Sequence, residues 1–134
     1  MTYVLDTTVL SALMRAEPAP SKRLLEERPA EVSVPQPVIA EIHYGLARLA
    51  ASHRRRELEA RLALLLRTLP RAPWNDEVSR RFGELKATLE RRGQRIDDFD
   101  AAIAAHALTS EATVVTRNVR HFSRIRGLPV EDWT

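Results

Sequence analysis

The segment "IDDFDAAIAAHA" (96–107) restricts the possible folds of this chain more than any other stretch of its sequence. It places three aspartates against a helical segment made almost wholly of alanine and isoleucine, where the chain is about to become buried. Backbone N–H groups and the helix dipole favour acidic residues at the start of a helix. We therefore predict a helix over 98–109 that is capped by Asp97 or Asp98.

Asp100 is harder to explain by capping alone. It lies one helical turn from Ile103 and Ala104 and two turns from Ala107, so the four residues share one apolar face. A carboxylate on a buried face needs a cation or hydrogen-bond donors as partners. Asp100 is therefore a candidate for a role beyond the helix cap.

Short apolar runs alternate with helical segments along the rest of the chain. The predicted strands lie at 3–6, 31–34 and 112–116, with shorter ones near 69–73 and 128–132. The predicted helices lie at 8–14, before about 28, and at 35–50, 52–69, 75–93 and 98–109. This alternation predicts an α/β fold with a central, mainly parallel sheet covered on both faces. The length suits one domain over 1–134, with a helical hairpin at about 36–69.

The helix predicted at 35–50 carries both an apolar stripe and an acid. The stripe consists of Val38, Ile42, Leu46 and Leu49. Glu41 lies at the edge of this stripe, and Gly45, one turn further on, leaves room for a group to approach its carboxylate. A lone glutamate at such a position is most often a solvated boundary residue. Its significance therefore depends on the other acids of the chain.

The residue types present exclude several classes of site. The chain has no cysteine, so neither a disulfide framework nor a cysteine-based zinc site is possible. Its four histidines form no paired metal motif, and it has no glycine-rich phosphate loop or GxSxG elbow. Zinc, nucleotide and serine-hydrolase chemistry therefore have no support. A net charge of +3 permits a nucleic-acid partner without requiring one.

The N-terminal residues and the apolar runs indicate where the protein acts. "MTYVLDTT" enters a strand-like run without the basic and apolar regions of a secretory signal. The longest apolar stretch, around 62–66, is far too short to cross a bilayer. We therefore expect a cytoplasmic protein with no membrane partner.

Polar residues stand at the carboxyl ends of the predicted strands, where ligands bind in parallel sheets. Asp6 ends the first strand, and Thr116 and Asn118 follow the strand at 112–116. Asp6 has a simpler explanation as well, because an aspartate after a strand can cap the next helix.

Three acids are candidates for one shared site, namely Asp6, Glu41 and Asp100. Carboxylates that meet in one crevice repel each other and raise one another's pKa. A hard divalent cation relieves this repulsion, since Mg²⁺ or Mn²⁺ prefers carboxylate oxygen. Carboxylate-bound Mg²⁺ with an activated water is a standard arrangement for phosphodiester hydrolysis.

Four segments together resemble a known family. In order along the chain they are "YVLDTTVLSALM", "VIAEIHYGL", "DDFDAAIAAHAL" and "TVVTRNVRHF". This set resembles the PIN-domain ribonucleases, and more narrowly the VapC and FitB-like toxins of bacterial toxin–antitoxin pairs. The resemblance implies a three-layer α/β/α sandwich and Mg²⁺-dependent cleavage of RNA. It also implies a homodimer and a small VapB-like antitoxin that covers the site.

The resemblance assigns roles to individual residues. The metal-binding acids of the family fall on Asp6, Glu41 and Asp100. The T-x-N/D signature of the family falls on Thr116 and Asn118.

One departure from the family pattern concerns a fourth acid. Many relatives have one after the last-but-one strand, whereas this chain has Asn118 and then His121. The departure weakens any claim for a second metal, although Asp97 or Asp98 could substitute. Thr7, next to Asp6, completes the set of possible supporting residues.

The arginines divide by position. Those that follow the "VVT" strand could surround the crevice and hold RNA phosphates; they are Arg117, Arg120, Arg124 and Arg126. The triplet Arg54–Arg56 has glutamates close by on a long predicted helix, and we interpret it as a solvated face.

The sequence is compatible with three functions. The first is a metal-dependent endoribonuclease toxin. The second is a PIN-like module that binds RNA or antitoxin but cleaves weakly, in keeping with the missing fourth acid. The third is a phosphohydrolase of small esters. Three intact acids favour cleavage, and the arginine rim favours a polymeric substrate.

Overall fold

A computed structural model describes residues 1–134, which form five strands and seven α-helices. The strands are β1 (Tyr3–Leu5), β2 (Val32–Pro35), β3 (Arg71–Ala72), β4 (Thr113–Val115) and β5 (Val130–Glu131). The helices are α1 (Thr7–Met14), α2 (Pro18–Leu25), α3 (Gln36–Ala47), α4 (His53–Thr68), α5 (Asp76–Arg91), α6 (Asp98–Ser110) and α7 (Val119–Phe122). A short 3₁₀ turn at Pro29–Glu31 precedes β2.

The strands form one sheet in the order β3-β2-β1-β4-β5, and all four pairings are parallel. Tyr3 of the central strand lies opposite Val32 on one side and Thr113 on the other. The prediction of an α/β fold with a central parallel sheet is confirmed. The segment predicted at 69–73 is an edge strand of only two residues.

Helix α6 contains more buried residues than any other helix of the fold. Ala101, Ile103, Ala104 and Ala107 are completely buried, and the helix packs on α5, β1 and β4. Alanine suits this position because its small side chain lets the backbones of neighbouring elements approach closely while keeping the highest helix propensity. The alanine-rich segment thus holds the start of α6 firmly against the sheet.

The helix starts and stops follow the local signals in the sequence. Asp97 caps α6 by accepting a hydrogen bond from the Phe99 N–H at 2.9 Å, whereas Asp98 is exposed and pairs with Lys86 at 2.8 Å. Gly93 follows the end of α5 with a φ of +68°, a conformation that favours glycine.

The apolar stripe of α3 differs from the predicted one. The helix ends at Ala47, so Leu49 lies beyond it and is 42% exposed. Ile39 takes the fourth buried position instead. The chain turns toward α4 after Ala47, which removes Leu49 from the helical face on which its spacing would have placed it.

No helix is both long enough and apolar enough to cross a membrane.

Candidate active site

The carboxyl ends of β1 and β4 bring two buried polar side chains together. Asp6 directly follows β1, and Thr116 directly follows the adjacent β4. The Thr116 hydroxyl donates a hydrogen bond of 2.5 Å to Oδ2 of Asp6. The parallel register of the two strands therefore creates this pair from residues 110 positions apart.

The other oxygen of Asp6 faces the start of α1. Its Oδ1 accepts hydrogen bonds from the Thr8 hydroxyl at 2.6 Å and from the Val9 N–H at 3.0 Å. Asp6 is thus both the cap of α1 and a member of the cluster, so the simpler explanation holds alongside the functional one. Burial raises the pKa of this carboxyl, and the hydrogen bonds from Thr116 and Thr8 partly oppose the rise.

Glu41 reaches the same region from α3. It is half-buried, and its Oε1 accepts a hydrogen bond of 2.6 Å from the Thr7 hydroxyl. Thr7 is the residue after Asp6, so this bond fixes the Glu41 carboxylate beside the carboxyl end of β1. Glu41 therefore has a specific partner, which a solvated boundary residue would lack.

Asp100 lies in the first turn of α6 and faces a histidine. Its Oδ2 is 3.1 Å from Nε2 of His121. On the other side of the ring, Nδ1 of His121 is 2.9 Å from a guanidinium nitrogen of Arg124. Because Arg124 can only donate, Nδ1 accepts, and the neutral imidazole carries its hydrogen on Nε2, facing Asp100. The Arg124 guanidinium also donates to the His121 backbone carbonyl at 3.2 Å, so the ring is held from two directions.

Burial and the neighbouring acids both raise the pKa of Asp100. Burial raises the pKa of its carboxyl to about 6, with further contributions from the negative charges of Asp97, Glu41 and Asp6, and His121 acts in the opposite direction. Carboxylates affect each other in this way only when they are close. The three predicted acids therefore lie at one edge of the sheet.

The oxygen donors at this edge fit a hard divalent cation, but they are not assembled as a closed cage. No three acidic or histidine side chains of the chain are arranged to hold a metal ion together. Asp6, Glu41 and Asp100 each face a donor of the protein instead. Mg²⁺ is commonly bound by one or two carboxylates and keeps several waters, so its chemistry suits such an open donor set.

Two supporting residues differ in what they contact. The Asn118 backbone N–H donates to the Thr116 hydroxyl at 2.9 Å, but its exposed side chain makes no hydrogen bond within the chain. Thr8, which the sequence reasoning missed, accepts from the Arg117 N–H at 3.1 Å while donating to Asp6. The pair of threonines after the strand was the available signal, since short hydroxyl side chains bond nearby backbone groups.

An open groove of about 510 Å³ lies beside His121. Its lining includes the predicted RNA-binding arginines Arg117, Arg120 and Arg124, together with Asn118 and Asp132.

The arginines of this groove differ in what they contact. Arg117 forms an ion pair with Glu17, and Arg124 supports His121, whereas Arg120 is exposed and has no partner in the chain. Arg126, expected beside the same crevice, is not in the lining of this groove. Of the predicted set, Arg120 is thus the most available for a phosphate.

The triplet at 54–56 lies on the surface of α4. Arg55 pairs with Glu59 at 2.8 Å, and Arg54 lies 3.8 Å from Glu57. Both are ion pairs between residues of the same helix, which agrees with the interpretation of this triplet as a solvated face.

A second groove of about 310 Å³ opens next to Glu41, where α1, α3 and α4 meet. Its apolar floor contains Met14, Ile42, Leu46 and Leu58, and Arg15 and Glu41 are at its edge. An extra Cβ on Gly45, which also lines the groove, would meet nothing within 4 Å. The groove therefore gives an apolar surface direct access to one of the three acids.

Comparison with known proteins finds matches along the whole chain. The PIN domain family matches residues 3–128. Ribonuclease VapC2 of Rickettsia felis is 30% identical over 135 residues, which cover 99% of this chain and 98% of that protein. The tRNA(fMet)-specific endonuclease VapC of Shigella flexneri is 25% identical over 135 residues, which cover 98% of each protein.

A solved structure agrees in fold. A chain in the crystal structure of VapBC2 from Rickettsia felis, bound to a DNA fragment from their promoter, superimposes with a TM-score of 0.86. The sequences are 28% identical, and the match covers 100% of both chains. The matches in sequence and in structure agree with the resemblance that the four segments suggested. The chain belongs to the PIN-domain family, within its VapC branch.

Proposed function

We propose that this protein is a Mg²⁺-dependent endoribonuclease and the toxin of a toxin–antitoxin pair. The observation that carries the proposal is the set of three carboxylates at the carboxyl edge of a parallel sheet, Asp6, Glu41 and Asp100; burial and the negative charges of Glu41 and Asp6 raise the pKa of Asp100. Relatives that match over nearly their whole length are named ribonuclease or endonuclease, which supports the same activity.

The residues around the site have separate tasks in this proposal. Asp6 is fixed by Thr8 and Thr116, so it forms the rigid side of the cation site. Glu41 and Asp100 belong to helices on either side and complete the oxygen donors. Mg²⁺, or Mn²⁺ in its place, would supply an activated water and offset the charge of the phosphodiester.

The arginine groove beside His121 is proposed to orient the RNA. Arg120 provides an unpaired positive charge for a backbone phosphate, and Arg124 lies next to it. Arg117 contributes less, because Glu17 neutralises much of its charge. Phosphate contacts of this kind position a nucleic acid without reading its sequence.

The second groove, beside Glu41, is proposed as the antitoxin site. A segment that fills its apolar floor would lie over Glu41 and block the carboxyl edge of the sheet. The matched VapBC2 structure supports a VapB-like partner for this chain. A homodimer of the toxin completes the proposed assembly.

A weakly cleaving RNA- or antitoxin-binding module is the alternative. It is favoured by the absence of an assembled three-residue metal site and by the position of His121 against Asp100. Cleavage and binding therefore have to be measured separately.

The test compares wild type with Asp100→Asn and with Asp98→Asn as a matched control. Asp98 is a neighbouring exposed carboxylate that pairs with Lys86 outside the site, so its loss removes the same charge without altering the cation donors. Folded RNAs are incubated with each protein, with Mg²⁺ or with EDTA. We expect Mg²⁺-dependent cleavage by wild type and by Asp98→Asn, and a loss of roughly 100-fold or more in Asp100→Asn.

Equal cleavage by Asp100→Asn, or equal cleavage in EDTA, would contradict the proposed metal site. RNA binding without cleavage by wild type, in Mg²⁺ and in Mn²⁺, would favour the binding module. Asp6 is less suitable for this test because its carboxylate also caps α1, so its replacement would mix stability with activity.

A further inference from the structure

A third groove, of about 280 Å³, lies between α5 and the chain segment that follows α7. Four arginines and one glutamate provide its charged groups: Arg81, Arg92, Arg124, Arg126 and Glu84. We call it the α5 groove. It lies outside the three-carboxylate cluster, and neither the family match nor the proposed active site accounts for it.

The positive charge of the α5 groove is poorly compensated within the protein. Glu84 already pairs with Arg80 at 2.9 Å, so it does not neutralise the arginines of the groove. Arg92 and Arg126 are exposed, and neither has a carboxylate within 4 Å. Arg81 alone has an acidic partner, Glu77 at 3.3 Å.

Apolar side chains beside these arginines strengthen their attraction for an anion. Leu85, Leu108 and Ile125 line the α5 groove beside the guanidinium groups. Apolar walls limit the water around a charge and so strengthen its attraction for an anion. A planar guanidinium also matches the geometry of a phosphate group. The chemistry of the α5 groove therefore suits a phosphate-bearing ligand.

Arg124 connects this groove to the candidate active site. The same residue lines both the α5 groove and the groove that holds Arg120 and His121. Its guanidinium donates to His121 and to the backbone carbonyl of Arg95, which are neutral acceptors, so its charge is not cancelled by a carboxylate. Arg124 thus places a positive charge that no carboxylate pairs with at the junction of the groove beside His121 and the α5 groove.

We propose that the α5 groove is a second RNA-binding site, which holds backbone phosphates of a folded RNA away from the bond that is cut. This inference rests on the proposed function, because the RNA is the polymer that the active site would cleave. It implies that the substrate is a folded RNA large enough to reach both grooves, and that a short single strand contacts only the first.

The test uses the double variant Arg92→Ala/Arg126→Ala. The matched control is Arg28→Ala/Arg67→Ala, which removes two exposed arginines without acidic partners from elsewhere on the surface. Both double variants are made in the Asp100→Asn background, so that RNA is bound without being cut. A full-length tRNA transcript, chosen as a folded RNA, and a short unstructured single-stranded RNA serve as the two probes, each titrated at several salt concentrations.

We expect the α5-groove variant to bind the full transcript roughly tenfold more weakly at low salt. The slope of log K against log salt should become smaller by about 1.4 to 1.8, because two phosphate contacts are lost and each accounts for about 0.7 to 0.9. Its affinity for the short strand should match that of the control. Thermal melting of both variants, expected to be unchanged, verifies that they are folded.

Two outcomes would overturn the inference. If the α5-groove variant and the control bind the transcript with equal affinity and slope, the groove does not hold RNA. If the variant loses the same affinity for the short strand as for the transcript, its arginines belong to the active-site groove. Cleavage of both probes by the protein with Asp100 intact is measured in parallel. Failure to cleave these probes as well as the folded RNAs of the activity test contradicts the proposed function, whereas intact cleavage with no effect of the double variant on binding contradicts only the second site.

Discussion

At the scale of residues, Asp100 combines a place in the proposed cation site with an environment that disfavours its charged form. It is half-buried, lies near three other acids, and has His121 as its nearest partner. A carboxyl group whose pKa is higher in the folded state than in the unfolded state stabilises the fold most at low pH. That contribution is lost as the pH rises through the folded value. In the absence of metal, Asp100 should therefore reduce stability near neutral pH.

We predict that Asp100→Asn stabilises the metal-free protein at pH 7.5 and does so less at pH 5. The pKa of Asp100 is about 6 in the folded state, against an ordinary value of 3.8. The free energy of unfolding of wild type should therefore fall by roughly 1 kcal/mol between pH 5 and pH 7.5, and the variant should not show this fall. Urea unfolding in EDTA at both pH values measures the difference. Asp98→Asn, which changes an exposed carboxylate, should retain the pH dependence of wild type. If Asp100→Asn raised the free energy of unfolding by the same amount at both pH values, Asp100 would not be the group that causes the pH dependence.

At the scale of elements, α3 connects the candidate active site to the apolar groove beside Glu41. Its inner face packs Val38, Ile42 and Leu46 into the core, while Glu41 reaches the Thr7 hydroxyl on α1. Gly45 lies one turn after Glu41 and keeps the floor of the groove open. Glycine in the body of a helix is destabilising, so the open groove has a cost in helix stability.

Substitution by alanine should stabilise the protein at Gly45 and destabilise it at Gly93. Gly45→Ala should stabilise the protein by about 0.5 to 1 kcal/mol, because the position is helical and the added Cβ meets nothing within 4 Å. Gly93→Ala should destabilise it by about 1 kcal/mol or more, because its φ of +68° is strained for a residue with a Cβ. The midpoints of urea unfolding compare the two variants with wild type. A destabilised Gly45→Ala would mean that the groove is narrower than the structure indicates.

At the scale of the whole molecule, the order of strands brings distant parts of the chain to one edge. The central strand β1 lies between β2 and β4, so Asp6 meets Thr116 across one pairing, and Thr7 meets Glu41, on the helix after β2, across the other. A cation held between these elements would connect α1, α3 and α6. Because a ligand that binds only the folded state stabilises it, metal binding and global stability are linked.

We therefore predict that Mg²⁺ or Mn²⁺ raises the melting temperature of wild type at pH 7.5. At ten times the dissociation constant the gain is about 1.4 kcal/mol, or roughly 4 °C for a domain of this size. The shift should be much smaller in Asp100→Asn and unchanged in Asp98→Asn. Differential scanning calorimetry with and without the metal provides the measurement. Identical shifts in all three proteins would place the cation elsewhere on the surface.

The features that local sequence patterns predict correctly are those with local causes. Periodicity and cap residues identified the strands, the helices, a cap at Asp97 or Asp98 and the stop at Gly93, because each depends on hydrogen bonds within a few residues. The position of Asp6 after its strand, of Glu41 on the helix leaving the second strand and of Asp100 at the start of the alanine-rich helix also indicated the edge at which the three acids lie. Parallel strands all end on the same side of a sheet, so the candidate site followed from the fold class.

The partners of individual charged side chains depend instead on residues far apart in sequence. The pairs Arg117–Glu17 and Asp100–His121 were not predicted, and Arg126 lies in a different groove from the one expected. No local pattern specifies such contacts, since long side chains have many rotamers and their choice depends on which charges the sheet and helices bring within reach. The same holds for Leu49, whose spacing fits a buried stripe but whose helix ends two residues before it, where the chain turns toward α4.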